Sequence, residues 1–164
     1  MQTELGALFA GGARPRCYIA SALGFSEAGR AYYAEHYLPA LTQYVEPVDP
    51  WTLTEPEAFA AARAEGREHE LGLEVGARNA EAIREAQLLI AHLDGQEVDS
   101  GTAVEIGYAA ALGRPCVGLR TDLRTSGEPG MAVNLQVEAF IALSGGFIAS
   151  SLDDLGARLG DLRA

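Results

Sequence analysis

Residues 87–93, QLLIAHL, are apolar at nearly every position, and the run ends abruptly at Asp94 and a polar, Gly- and Asp-containing loop. An alternating strand can rest one face on water, but an uninterrupted apolar strand needs cover on both faces, which is the condition of a strand inside a parallel sheet flanked by helices. Shorter runs at residues 17–21, 45–48, 116–119 and 146–149 have strand character, and helix-like stretches separate them. Strands alternating with helices imply an α/β fold: one domain with a doubly wound, flavodoxin-like or Rossmann-like sheet of about five parallel strands and helices on both faces. A chain of 164 residues has room for one such core and little more.

The connecting stretches carry their own signals. Residues 1–15, with Gly11, Gly12 and Pro15 and no sustained period, read as a flexible N-terminal arm, leaving residues 16–164 as the folded domain. Ser26 is placed to cap a helix over residues 27–44, in which Ala31, Tyr33, Ala34, Tyr37, Leu38 and Leu41 recur at helical spacing and Pro39 predicts a kink or a division. Thr54 reads as the cap of the next helical region, residues 56–86, which its glycines divide into two helices. Residues 101–112 form a further helix whose Gly107, Ala109, Ala110 and Ala111 let it lie close on the sheet. Helices over residues 132–143 and from Ser150 or Ser151 to about 162 complete the pattern.

Charge and composition then narrow the function. The formal net charge is −11, which opposes a nucleic-acid backbone or an anionic membrane over most of the surface. All 12 basic residues are Arg, and without lysine there is no lysine Schiff base and no P-loop lysine. Cys17 and Cys116 lie in apolar strands and read as buried thiols of a reducing compartment. No His/Cys cluster has metal-ligand spacing and no GxGxxG loop follows the first strand, so neither a metal nor a cofactor is expected. The start of the chain lacks a signal peptide's pattern and no apolar run reaches membrane-spanning length, so a cytoplasmic protein is expected. Small molecules and other subunits are the expected partners.

The chemistry concentrates after the third strand. Thr102-Ala103-Val104-Glu105 fits a capping box, in which Glu105 merely satisfies backbone donors. The same carboxylate, held ionised by a helix N-terminus beside the crevice beyond the strand ends, could attack an electron-poor sugar carbon. Asp94 and Asp99 flank the loop as solvated charges, a helix cap or acceptors for sugar hydroxyls, and Ser100, Gly101 and Thr102 share the loop–helix junction as substrate-binding candidates. Trp51, beside Pro50 where the chain leaves the second strand, either packs a base or sugar or covers the rim of the core. Arg120 and Arg124 either edge the pocket or belong to a solvated loop, His92 reads as a satisfied core histidine, and Glu138 is a surface charge or supports the site.

The run Asp99-Ser100-Gly101-Thr102-Ala103-Val104-Glu105-Ile106-Gly107, with Tyr18 in the first strand and Asn134-Leu135 after the long loop, resembles the nucleoside 2-deoxyribosyltransferase family over roughly residues 16 to 150. The resemblance implies double displacement at the anomeric carbon of a 2′-deoxynucleoside, with nucleoside and nucleobase as small-molecule partners. By the same resemblance Glu105 is the nucleophile that forms a deoxyribosyl ester, and Tyr18 orients it. Asp99 binds the 5′-hydroxyl, aided by Asn134 of a neighbouring subunit in a homo-oligomer. Asn79 stands where many family members carry an Asp that contacts and protonates the leaving base. An amide can hydrogen-bond a base but cannot donate a proton to it as an acid, so either another acid such as Asp94 does so or the leaving base is activated differently. Two alternatives stay open: an N-glycosidase acting on deoxynucleosides or nucleoside 5′-monophosphates, and a non-catalytic nucleotide-binding module.

Overall fold

Strand β3 (Leu88–His92) is buried along its whole length at the centre of a five-stranded sheet. Beside it run β1 (Arg16–Ala20) and β4 (Cys116–Leu119), with β2 (Glu46–Val48) and β5 (Ile148–Ala149) at the edges. In this computed structural model, which describes residues 4–163, every pairing is parallel and the order is β2-β1-β3-β4-β5. Tyr18 lies opposite Leu89, and Leu89 opposite Cys116.

Strand periodicity divides the core between the two faces. Cys17, Ile19, Leu88 and Ile90 point to one side, where they pack against α1 (Glu4–Phe9), α2 (Glu27–Tyr32), α3 (Leu38–Thr42) and α8 (Leu152–Asp161). Tyr18, Ala20, Leu89 and Ala91 point to the other, against α5 (Glu68–Glu85), α6 (Ser100–Ala111) and α7 (Leu135–Leu143). Helix α4 (Pro56–Glu65) leads into α5, and Gly66 between them takes the left-handed conformation, φ 69°, that ends α4. The doubly wound fold follows from burying both faces of these strands. No helix among the described residues is long and apolar enough to cross a membrane.

Several local expectations are corrected. Most of the supposed N-terminal arm is folded: α1 buries Leu5 and Phe9 in the core, because these two residues offer one apolar face to α8 and the sheet. Met1 to Thr3 lie outside the described residues. The helix expected over residues 27–44 is not interrupted at Pro39 and ends at Thr42. It passes from α2 through one π turn, Tyr33–Tyr37, into α3, with the Leu38 amide bonded to the Tyr33 carbonyl. Pro39 has no N–H for the Glu35 carbonyl, and a locally widened turn accommodates that loss. Thr54 does not cap α4; its hydroxyl accepts from Arg78 at 3.0 Å, and Glu55 takes the cap position. Ser26 and Ser151 cap α2 and α8 through the amides of Gly29 and Asp154.

The polypeptide leaves β1 towards one face of the sheet and leaves β3 towards the other. The loops therefore diverge beyond the carboxyl ends of these neighbouring strands and open a crevice there, the place where doubly wound folds bind ligands. Because Phe9 is fully buried, Phe9→Ala is expected to lower unfolding stability by about 3–5 kcal/mol. A urea titration with an unchanged midpoint would show that α1 is not part of the core.

Candidate active site

A cavity of about 410 Å³ occupies that crevice. Its floor is Ser21 after β1 and the first turns of α6, with Asp99, Gly101, Thr102 and Glu105. One wall comes from Pro50 and Trp51 after β2, and the opposite wall from Phe59 of α4 with Val75 and Asn79 of α5.

At the floor, the Tyr18 hydroxyl donates to Glu105 Oε1 at 2.6 Å across 87 positions of sequence. Tyr18 is fully buried, and its place on β1 points the ring at α6. Burial, chiefly, and the Glu105 charge push the Tyr18 hydroxyl well above its ordinary value, so it stays a neutral donor. Glu105 is raised from 4.5 to about 7: desolvation is the main cause, the Tyr18 hydrogen bond opposes it, and the Asp99 charge adds to it.

This geometry corrects two expectations about Glu105. The helix N-terminus does not keep the carboxylate fully ionised, because burial outweighs the dipole a full turn into α6. Nor is Glu105 part of a capping box. Asp99 is the N-cap, its Oδ2 accepting from the Thr102 amide at 3.0 Å with the Thr102 hydroxyl at 3.4 Å. Glu105 is thereby released from any capping duty and presents its carboxylate to Tyr18 and the cavity.

The mouth is aromatic. Trp51 meets Phe25 edge-to-face with ring centroids 4.8 Å apart, a favoured geometry. The indole also lies so close to Gly24 that a Cβ there would stand 2.3 Å from the ring. Asp49 caps the short turn carrying Trp51 by accepting from the Trp51 amide at 3.0 Å.

Asp94 is not in the cavity wall. Its carboxylate accepts from the amides of Thr121 and Asp122 at 2.5 and 2.9 Å and from the Thr121 hydroxyl, and pairs with His92 Nε2 at 3.4 Å. Burial works against this charge, but the hydrogen bonds from His92, Thr121 and Asp122 prevail and hold the carboxyl well below the usual range. Such a group is a poor proton donor near neutrality. Arg120 is buried and donates to the carbonyls of Leu93, Gly95 and Arg124 at 2.5, 2.9 and 2.8 Å. Arg120 and Asp94 together staple the loop after β3 to the loop after β4. Arg120 is therefore neither a pocket edge nor a solvated charge, while Arg124 pairs with Asp122 at 2.5 Å.

Of the remaining candidates, Trp51, Asn79, Asp99, Gly101 and Thr102 share the cavity with Glu105, whereas Ser100 and Asn134 lie outside its lining. Asn134 caps α7, accepting from the Gln136 amide at 3.0 Å. Glu138 accepts from the Ala132 amide at 3.0 Å and braces the preceding loop. Ser21, Phe25, Phe59 and Val75 also line the cavity without having been singled out in the sequence, and Thr54, read there as a helix cap, joins them. Ser21 could have been found, since it is the first residue past β1 at the crevice; exposed Phe25 and Phe59 have no such signal, because phenylalanine ordinarily reads as core. Among the described residues no group of three or more His, Cys, Asp or Glu side chains could hold a metal ion.

Comparison with known proteins agrees with this fold. The family model described as nucleoside 2-deoxyribosyltransferase matches residues 17–142. Among solved structures, a conserved protein from Enterococcus faecalis V583 is 27% identical, with 91% of this chain and 99% of that one covered and a TM-score of 0.65. A 2-desoxiribosyltransferase from Leishmania mexicana is 23% identical, with 89% and 97% covered and a TM-score of 0.62. A CMP N-glycosidase from Clostridium botulinum shares the fold at 18% identity, with 88% and 98% covered and a TM-score of 0.53. No curated protein matches the chain.

The raised Glu105 value has a consequence for stability. Its folded value of about 7 exceeds the ordinary 4.5, so the native chain binds more protons than the unfolded chain and this group's contribution is lost as pH rises through about 7. Glu105→Gln is therefore expected to melt higher than wild type at pH 8, by roughly 2–4 °C for each kcal/mol relieved, and at the same temperature as wild type near pH 4. A melting difference that did not change with pH would contradict the raised value.

Proposed function

This chain belongs to the nucleoside 2-deoxyribosyltransferase family, and from that premise we propose that it cleaves the N-glycosidic bond of a 2′-deoxynucleoside and passes the sugar to another nucleobase. The observation that carries this reading is the Tyr18–Glu105 hydrogen bond at the floor of the cavity. Ionised Glu105 attacks C1′, an ester bond forms, and the C1′–N bond breaks with its electron pair passing to the base nitrogen. Tyr18, a fixed neutral donor on one carboxylate oxygen, holds the other towards the sugar. Asp99 offers its charge to the oxocarbenium-like transition state and an acceptor to a sugar hydroxyl. With Asp94 locked as an anion and Asn79 an amide, the departing base takes its proton from water in the cavity. A second base then attacks C1′ from the vacated side, loses its own proton, and returns Glu105 to a carboxylate.

Two observations favour this reading over its alternatives. Among the described residues no Arg lines the cavity, and both terminal nitrogens of Arg120 are committed to backbone carbonyls, so a nucleoside suits the site better than an anionic nucleoside 5′-monophosphate. A non-catalytic module rests on a capping role for Glu105 and on the amide at Asn79; of these, Asp99 takes over the capping role. We assign Asn134 to the cavity of a neighbouring copy: it lies outside its own chain's cavity, on a helix that exposes Leu135 and Leu143.

Incubation of 2′-deoxynucleosides with isotopically labelled adenine is expected to yield labelled deoxyadenosine. Glu105→Ala is expected to reduce that exchange by at least about 1,000-fold, and the wild-type rate should fall as pH drops below about 7, where Glu105 protonates. Free deoxyribose without labelled nucleoside would favour hydrolysis, and undiminished exchange by Glu105→Ala would exclude Glu105 as nucleophile.

A further inference from the structure

The amide of Asn79 is unusual among the cavity residues. Its Oδ1 is buried and has no hydrogen-bond donor among the described residues, although the side chain lines the cavity beside Val75 and faces the same space as Phe59 and Trp51. A buried acceptor left unpaired is costly unless something brings it a donor. Protein groups do not supply one here, and the same cavity carries the apolar and aromatic side chains of Phe25, Trp51, Phe59 and Val75.

We propose that Asn79 selects the base, favouring 6-aminopurines over 6-oxopurines; this rests on the nucleoside reading above. On the edge formed by the 6-substituent and N7, adenine presents an N–H donor beside a ring acceptor, the complement of a carboxamide's oxygen and N–H. The 6-amino group satisfies Oδ1 and the amide N–H binds N7. On the same edge guanine and hypoxanthine offer only acceptors. Turning the amide over lets its N–H group face them but leaves Oδ1 buried without a donor, so reorientation does not recover the loss. A site built around a donor in this way rejects the analogue lacking it more firmly than an apolar pocket rejects a change of size. The walls contributed by Trp51, Phe59 and Val75 hold the base flat without reading it, so discrimination falls to Asn79.

The test measures binding, so that it does not depend on turnover. Deoxyadenosine and deoxyinosine are titrated calorimetrically into Glu105→Gln and into the same variant carrying Asn79→Ala. With Asn79 present, deoxyadenosine is expected to bind about 10- to 100-fold more tightly. With Asn79→Ala the two affinities should come within about threefold of each other, chiefly through loss of deoxyadenosine binding. Equal affinities with Asn79 present, a preference that survives Asn79→Ala, or binding of neither nucleoside would overturn the proposal. A preserved, Asn79-dependent preference in a protein that exchanges no base would refute the transferase reading and leave this one standing.

Discussion

Everything functional in this molecule depends on β1 and β3 lying side by side while the chain leaves them in opposite directions. Their parallel register sets Tyr18 against Leu89, and from there the tyrosine hydroxyl reaches Glu105 of α6, the helix that follows β3 over the same face. The crossover after β1 passes to the other face. Reversing the hand of either connection, which parallel crossovers resist, would close the crevice and separate Tyr18 from Glu105. The hydrogen bond between them is thus a product of topology, with neither partner's sequence neighbours contributing to it.

Three carboxylates near the carboxyl ends of the central strands take different work from their surroundings. Asp94 receives hydrogen bonds on both oxygens and serves the backbone of two loops. Asp99 completes a helix terminus while its charge remains felt at Glu105. Glu105 is left with one donor and a desolvated position. Residue type is the same or nearly so in all three; the number of donors and the depth of burial separate them. Because the two loops are stapled by Asp94 and Arg120, the site rests on a rigid rim even though its residues come from segments far apart in sequence.

The α/β class, the strands and their burial were legible in the sequence, because a continuous apolar run such as residues 88–92 has few other ways to be satisfied. The position of the crevice was legible too, since a polar loop after a buried strand ends there. What could not be read were choices made by tertiary partners. Thr102 and Glu105 fit a capping box by spacing, yet Asp99 lies in the cap position and wins the contact. Arg120 looks like a loop charge until the carbonyls of Leu93 and Gly95 converge on it. Leu5 and Phe9 are too few and too close to glycines to announce a helix, and only the hollow beside α8 shows why they fold.

The contact between Gly24 and Trp51 bears on how such a chain can change what it admits. The indole is wedged between Phe25 on its edge and the bare backbone of residue 24. A methyl group at that position would require the ring to swing away, carrying its aromatic neighbour along and altering the gauge of the entrance without replacing any residue on the floor. Entrance and floor are therefore separable: a position with no side chain calibrates the doorway, while Tyr18 and Glu105 stay where they are.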